Sequence, residues 1–296
     1  MPDVKIAKHA GFCFGVRRAI EMLEKTIARG VETGRNVVMA GPIIHNPRLI
    51  EEYSEKGVSV IDGNEIPADS LVVIRSHGIS VDFQDHLKTI ENVKIIDTTC
   101  PFVKRIHHLV EKKSSEGYTI IVLGDRNHSE VRAFVSRIRG KFHVINPEKV
   151  QADDFDNILR LFKENDRLFL VAQTTSRPDI FKKLMDRCLS LKDKVEDFAW
   201  ENTVCDATQQ RQKMASCMAE NTDAMIIIGG KNSSNTAKLL EIVKKENKNA
   251  WHIESALDFL EEEVEKLKNS RIIGVTAGAS TPDFQIEELR KFLEGL

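Results

Sequence analysis

Short, near-continuous runs of valine, isoleucine and leucine, each leading into a polar loop, recur in the same order three times along the chain. NVVMAGPIIHN, TIIVLGDRNHSE and AMIIIGGKNSSN each read as an apolar strand running into a glycine-containing loop. VSVID, FHVIN and WHIES follow as shorter strands. LVVIRSHGIS, LFLVAQTTS and RIIGVTAGAS then repeat the apolar strand with a polar end. Ahead of each trio stands a segment ending in cysteine: VKIAKHAGFC, VKIIDTTC and DFAWENTVC, each expected to be a short apolar strand with the thiol at its end. Helices fill the intervals. After Cys13, the residues Val16, Ala19, Ile20, Leu23 and Ile27 repeat at helical spacing, and Gly30 is placed to stop the helix. Pro101 suits a first helical position, where its missing N–H costs nothing.

Strands alternating with helices predict an α/β fold of small, mostly parallel sheets covered by helices. A unit written three times predicts three similar lobes, at residues 1–97, 98–200 and 201–296, arranged with pseudo-threefold symmetry around a central cavity. The apolar runs suit strands buried on both faces. Ligands of open parallel sheets bind beyond the C-terminal strand ends, and the unusual polar residues of this chain stand at those ends.

Composition narrows the setting. The 296 residues are 41% hydrophobic and 30% charged, which is ordinary for a globular protein with a core. A net charge of −2 gives no basic field for nucleic acid or an anionic membrane surface. The N-terminus MPDVKIAKHAGF does not resemble a signal peptide, and no apolar run approaches the ~18 residues of a membrane span. A cytoplasmic location is expected, and there five cysteines, an odd number, read as reduced thiols or metal ligands rather than a disulfide framework.

Three of those cysteines share one slot. Cys13, Cys100 and Cys205 are 87 and 105 residues apart, and each stands just before a helix, whose positive dipole end favours an anionic ligand. Threefold symmetry would bring the three sulfurs onto one iron–sulfur cube, leaving one iron without a protein ligand. Zinc is the inorganic rival, although the close C-x-x-C pairs of structural zinc sites are absent. Cys188 and Cys217 lie in mid-helix and read as small buried hydrophobes.

The remaining strand ends carry His45, His77, His128, Glu130, Thr174, Thr175, Ser233, Ser234, Asn235 and Ser280. Three histidines with serines, an asparagine and helix-start N–H groups suit a small phosphate ester, since no dense Arg/Lys cluster accompanies them. Capping is the alternative role of the serines, with Ser280 evenly placed between the two. Glu130, two residues beyond His128, is either a proton donor or an ordinary first-turn glutamate.

GFCFGVRRAI, GPIIHN, RSHGIS, DTTCP, NHSEV, QTT, NTVCDATQQRQ, KNSSN and GVTAGAS, taken in series, resemble the 4-hydroxy-3-methylbut-2-enyl diphosphate reductase family, from about Ala10 to Ser280. The resemblance implies three α/β lobes around one 4Fe-4S cluster per chain on Cys13, Cys100 and Cys205, open to partial conversion to a 3Fe-4S form in air. It implies an allylic alcohol diphosphate as substrate, held by His45, His77, His128, Ser233, Ser234, Asn235 and Ser280. Thr174 would orient the hydroxyl, and Glu130, with His128 beside it, would relay protons. A reduced ferredoxin or flavodoxin would deliver electrons singly. One departure stands out: where the family has His-Pro-Glu-Val-Glu-Gly, this chain has His128-Ser129-Glu130-Val131-Arg132-Ala133, without the stiffening proline. Two other classes remain open on the residues themselves, a zinc-dependent hydrolase of a phosphorylated metabolite and a non-catalytic redox sensor.

Overall fold

The computed structural model describes residues 2–61, 63, 65–147, 162–164, 166–190 and 192–296. Among them, twelve strands form three four-stranded sheets, and every strand pair is parallel. The first sheet has the order β3 (Ser59–Ile61), β2 (Val37–Ala40), β4 (Leu71–Ile74), β5 (Lys94–Asp97). The second repeats it as β7 (Phe142–Ile145), β6 (Thr119–Leu123), β8 (Arg167–Ala172), β9 (Asp197–Trp200). The third is β11 (Ala250–Ile253), β10 (Ala224–Ile228), β12 (Ile272–Ala277), β1 (Asp3–Ile6). The α/β fold expected from the sequence is therefore present as three like parallel sheets.

The pattern of burial explains the apolar runs. The two inner strands of each sheet are buried at every residue, as in VVMA and LVVI, or at all but the first, as in β8 and β12, because helices cover both faces. The outer strands alternate or stay partly exposed, as in β1, where three of four residues are exposed. In the second sheet, Ile121, Leu123, Leu168, Leu170 and Ala172 pack on one face against Phe181, Leu184 and Cys188 of α6 (Pro178–Leu189). Ile120, Val122, Phe169 and Val171 pack on the other against Ile106 and Val110 of α4 (Pro101–Ser115) and Val131 and Phe134 of α5 (Ser129–Val135). Each such fully buried Leu, Ile or Phe contributes about 1.5–3 kcal/mol.

One pairing departs from the sequence repeat. The order of segments predicts the cysteine-bearing strand as the opening strand of each repeat, yet β5 pairs with β4 and β9 with β8, so each closes the sheet of the repeat before it. β1 has no earlier partner and closes on β12 instead, which takes Asp3–Ile6 out of the sheet formed by the rest of residues 1–97. The cysteines also stand in loops beyond these edge strands rather than at their ends.

The chain forms two compact units. One comprises Met1–Ile20, Ile44–Gly57 and Asp206–Leu296 and contains the third sheet. The other comprises Glu21–Ile43 and Val58–Cys205 and contains the first and second sheets. Further helices are α1 (Phe14–Thr33), α2 (Pro47–Glu55), α3 (Val81–Thr89), α7 (Asp206–Ala219), α8 (Ser234–Glu246), α9 (Glu261–Lys268) and α10 (Asp283–Glu294). No helix among the described residues is long and apolar enough to cross a membrane.

Candidate active site

The three cysteine loops are built alike down to single hydrogen bonds. Cys13 N–H donates to the carbonyl of Ala279 (3.2 Å), Cys100 N–H to Ser76 (2.9 Å) and Cys205 N–H to Thr174 (3.0 Å). Each acceptor is the second residue beyond the neighbouring inner strand, which ends at Ala277, Ile74 or Ala172. Each cysteine directly precedes a helix, α1, α4 or α7, and each is half-buried. A matching set of bonds fixes the glycine loops: Gly41, Gly124 and Gly229 donate to Ile61, Ile145 and Ile253, the last residues of β3, β7 and β11. Parallel strands of one order place the same backbone groups at the same loop positions, so sequence repetition becomes geometric repetition.

The other two cysteines differ from these and from each other. Cys188 is fully buried against the second sheet, and burial pushes its thiol up to about 12, as expected for a structural residue. Cys217 was also expected to be buried, but it is exposed. The buried face of α7 is Thr208, Arg211, Gln212, Ala215 and Ala219, and two residues past Ala215 is about 200° around the helix, on the opposite side. That buried face is largely polar, which is unusual for a helix lying on a sheet.

The second unit brings Glu130, Thr174 and Cys205 together. Glu130 is 1% exposed. One carboxylate oxygen accepts from Thr174 N–H and the other from the Thr174 hydroxyl, both at 2.7 Å. The Thr174 carbonyl in turn accepts from Cys205 N–H. A candidate acid, the residue expected to orient a hydroxyl, and a candidate metal ligand thus form one continuous chain. Hydrogen bonds to a charged carboxylate are worth ~1.5–3 kcal/mol each, which offsets the cost of burying it.

His128 has a double role. Its Nδ1 accepts from Glu130 N–H at 3.1 Å and caps α5, so the neutral ring carries its proton on Nε2. Such a ring offers an N–H to an anion. The cap also accounts for the helix start without proline, since Ser129 occupies the first helical position, where the resemblance led one to expect a proline. The His77 ring lies edge-on to His128, with centroids 5.2 Å apart.

His107, which the sequence reading passed over, supports the His77 loop from α4. Gly78 has φ +77°, and a Cβ there would stand 2.7 Å from the His107 ring. Burial is the first cause that lowers the His107 pKa from 6.5 to about 3, with Arg137 adding to it. The folded protein therefore holds a neutral ring where the unfolded chain binds a proton, and stability falls as pH drops from 6.5 towards 3. Unfolding by denaturant at several pH values is expected to give His107→Leu a shallower acid limb than wild type, by up to about 1.4 kcal/mol per pH unit. Identical limbs would mean that His107 is charged in the folded state.

In the first unit, Ser233 caps α8, its Oγ accepting from Thr236 N–H at 3.3 Å. Ser234 is the first residue of that helix, and Asn235 is 3% exposed with neither side-chain oxygen nor nitrogen partnered. Ser280 spends its hydroxyl proton on the His45 carbonyl (3.1 Å). Gly230 packs against the same carbonyl so closely that a Cβ would lie 2.6 Å from its oxygen. Asn46, another residue the sequence did not single out, caps α2 and donates to the Ser280 carbonyl and to Gln285, all at 3.0–3.1 Å. Thr175 accepts from the Gln173 amide in the second unit. Arg211 is 3% exposed and donates to the carbonyls of His9 (2.9 Å) and Gly11 (2.7 Å), holding the loop that leads to Cys13.

At the level of fold, the chain is similar to a solved (E)-4-hydroxy-3-methyl-but-2-enyl diphosphate reductase described as the terminal enzyme of the non-mevalonate pathway, with TM-score 0.70, 36% identity and full coverage of both chains. The E-1-hydroxy-2-methyl-but-2-enyl-4-diphosphate reductase of Plasmodium falciparum gives TM-score 0.86 at 28% identity, covering 100% of this chain and 88% of that one. The class defined by three like sheets and repeated cysteine loops is therefore that of the α/β diphosphate reductases. The sequence narrows it: the LytB protein family matches residues 4–294, and the chain belongs to that family. A 4-hydroxy-3-methylbut-2-enyl diphosphate reductase from a Thermoanaerobacter species is 42% identical over 99% of this chain and 98% of its own length.

Proposed function

We propose that this chain reduces (E)-4-hydroxy-3-methylbut-2-enyl diphosphate to isopentenyl and dimethylallyl diphosphates, releasing the hydroxyl as water at the cost of two electrons and two protons. The observation that carries the reading is the run of hydrogen bonds from Glu130 through Thr174 to Cys205, together with membership of a family whose relatives bear the reductase name.

Three thiols in equivalent loops, each at a helix start, fit a 4Fe-4S cluster held by Cys13, Cys100 and Cys205. When bound, that group supplies single electrons and an open Lewis-acidic iron for the allylic hydroxyl. The chain's own residues do the rest. Thr174 donates to ionised Glu130, which leaves its oxygen lone pairs to accept from a substrate hydroxyl. When Glu130 is protonated the direction reverses: Glu130 donates to Thr174, and Thr174 donates to the leaving oxygen. A protonated acid and a departing hydroxyl are thereby joined through one side chain, with water excluded by burial. His128 and His77, Ser234 and Asn235 supply neutral donors suited to a diphosphate, and His45 completes the set; Ser280 joins it only if its hydroxyl proton turns from the His45 carbonyl to the anion. Electrons arrive from a reduced ferredoxin or flavodoxin, and the reaction runs in the cytoplasm.

The test is anaerobic turnover of the allylic diphosphate with a strong one-electron chemical reductant. Iron-containing protein is expected to consume it and form both isomeric diphosphates. Active, colourless protein with stoichiometric zinc would replace the reading with a hydrolase.

A further inference from the structure

A diphosphate carries several negative charges, yet the side chains assigned to it are neutral or titratable. The nearest buried cation on α8 is one turn inside the helix. Lys238 is 3% exposed, and its Nζ donates to the Ser234 hydroxyl oxygen at 3.0 Å. Lysine has donors only, so the direction of this bond is fixed. Ser234 Oγ accepts from the ammonium and must turn its own proton to another group. Ser234 opens the helix, where backbone N–H groups point outward. Next to it, Asn235 is equally buried and has both polar side-chain atoms without partners, the mark of a group whose partner is a ligand.

We propose that Lys238 is a positioning residue for the substrate diphosphate: through Ser234 it polarises and aims the hydroxyl proton at the anion, placing a positive charge one side chain behind the binding surface. This rests on the diphosphate reading above. Lys238 touches no substrate atom. It acts by making Ser234 a directed, charge-assisted donor, and such bonds are about twice as strong as neutral ones. The arrangement also explains how an anion site can hold its cation away from solvent.

The experiment measures KM, kcat and the inhibition constant of inorganic pyrophosphate in the full-length, iron-loaded protein. Lys238→Met and Ser234→Ala are each expected to raise KM and the pyrophosphate constant about 10-fold to 100-fold, the loss of one hydrogen bond to a charged group, with kcat nearly unchanged. The double variant is expected to be no worse than the weaker-binding single, because both remove the same directed bond. Lys238→Arg, which keeps the charge, is expected to recover part of the affinity. A lysine that merely supports the helix would instead lower the thermal midpoint and leave KM alone, or give additive losses with Ser234→Ala; either result overturns the proposal. Lys238→Gln provides a second neutral variant, and failure of both neutral variants to fold would make the residue structural and end the idea. Asn235→Ala separates the two levels. If it raises KM while Lys238→Met does not, only the role of Lys238 falls. If pyrophosphate does not inhibit wild type and Asn235→Ala has no effect, the diphosphate reading falls with it.

Discussion

Glu130→Gln is expected to retain the fold and its iron while losing turnover by about 10²–10⁴-fold, the usual contribution of a positioned proton donor. The amide has nearly the shape of the carboxylate. Its oxygen still accepts from Thr174 N–H, and its NH₂ meets the Thr174 oxygen, which then accepts instead of donating. What disappears is the carboxyl proton that Glu130 can pass to Thr174. KM is expected to change little, because the Glu130 carboxylate bonds to Thr174, while its contact with the diphosphate donor His128 runs through the backbone N–H, which the substitution keeps. Stability gives a control: Glu130 is 1% exposed, and the isosteric amide keeps a partner for each of its two bonds to Thr174. The thermal midpoint should therefore move by a few degrees at most, while kcat collapses. Normal turnover in this variant would remove Glu130 from the proton path.

The second large effect is at the cysteine loops. Cys100→Ser, purified without oxygen, is expected to lose most of its iron, from about four per chain, with loss of visible absorbance and of all measurable turnover. Cys13→Ser and Cys205→Ser should behave alike, because the three loops share one hydrogen-bonding scheme. The other two thiols supply contrasting controls in the same chain. Cys217→Ser, at an exposed position, should leave iron content and rate unchanged. Cys188→Ala removes a fully buried sulfur and should lower stability by roughly 1–2 kcal/mol through the cavity it leaves, without loss of iron. Iron and activity retained in Cys100→Ser would mean that the equivalent loops serve the fold alone.

How far these sites were legible depended on which link carried them. NVVMA, TIIVL and AMIII announced inner strands because helices on both faces favour apolar side chains, and Val37–Ala40, Thr119–Leu123 and Ala224–Ile228 are buried at every residue. The identity of Glu130 and Thr174 as chemical residues was legible from NHSEV and QTT, but their mutual contact was not, since 44 residues separate them. Cys217 shows the opposite case. Its place in mid-helix, within QKMASCMAEN, suggested burial, whereas the side of α7 that faces inward carries Thr208, Arg211, Gln212, Ala215 and Ala219. Lys238 and Arg211 escaped notice for a related reason: Lys and Arg are almost never fully buried unless paired, so a basic residue in a helix reads as solvated until its carbonyl or hydroxyl acceptors are known.

By itself, the order of residues determined the repeating strand–helix unit, the slot before a helix that each of three cysteines occupies, and the polar character of the strand ends. These follow from local periodicity and from backbone terms that act within a few residues. Only the tertiary structure decided that Asp3–Ile6 closes the sheet of the last repeat, that the Thr174 backbone and hydroxyl both serve Glu130, and that a buried ammonium stands behind Ser234. Pairing between distant strands and the burial of charge depend on which surfaces meet when helices cover the sheets, and that is a property of packing, which no local pattern encodes.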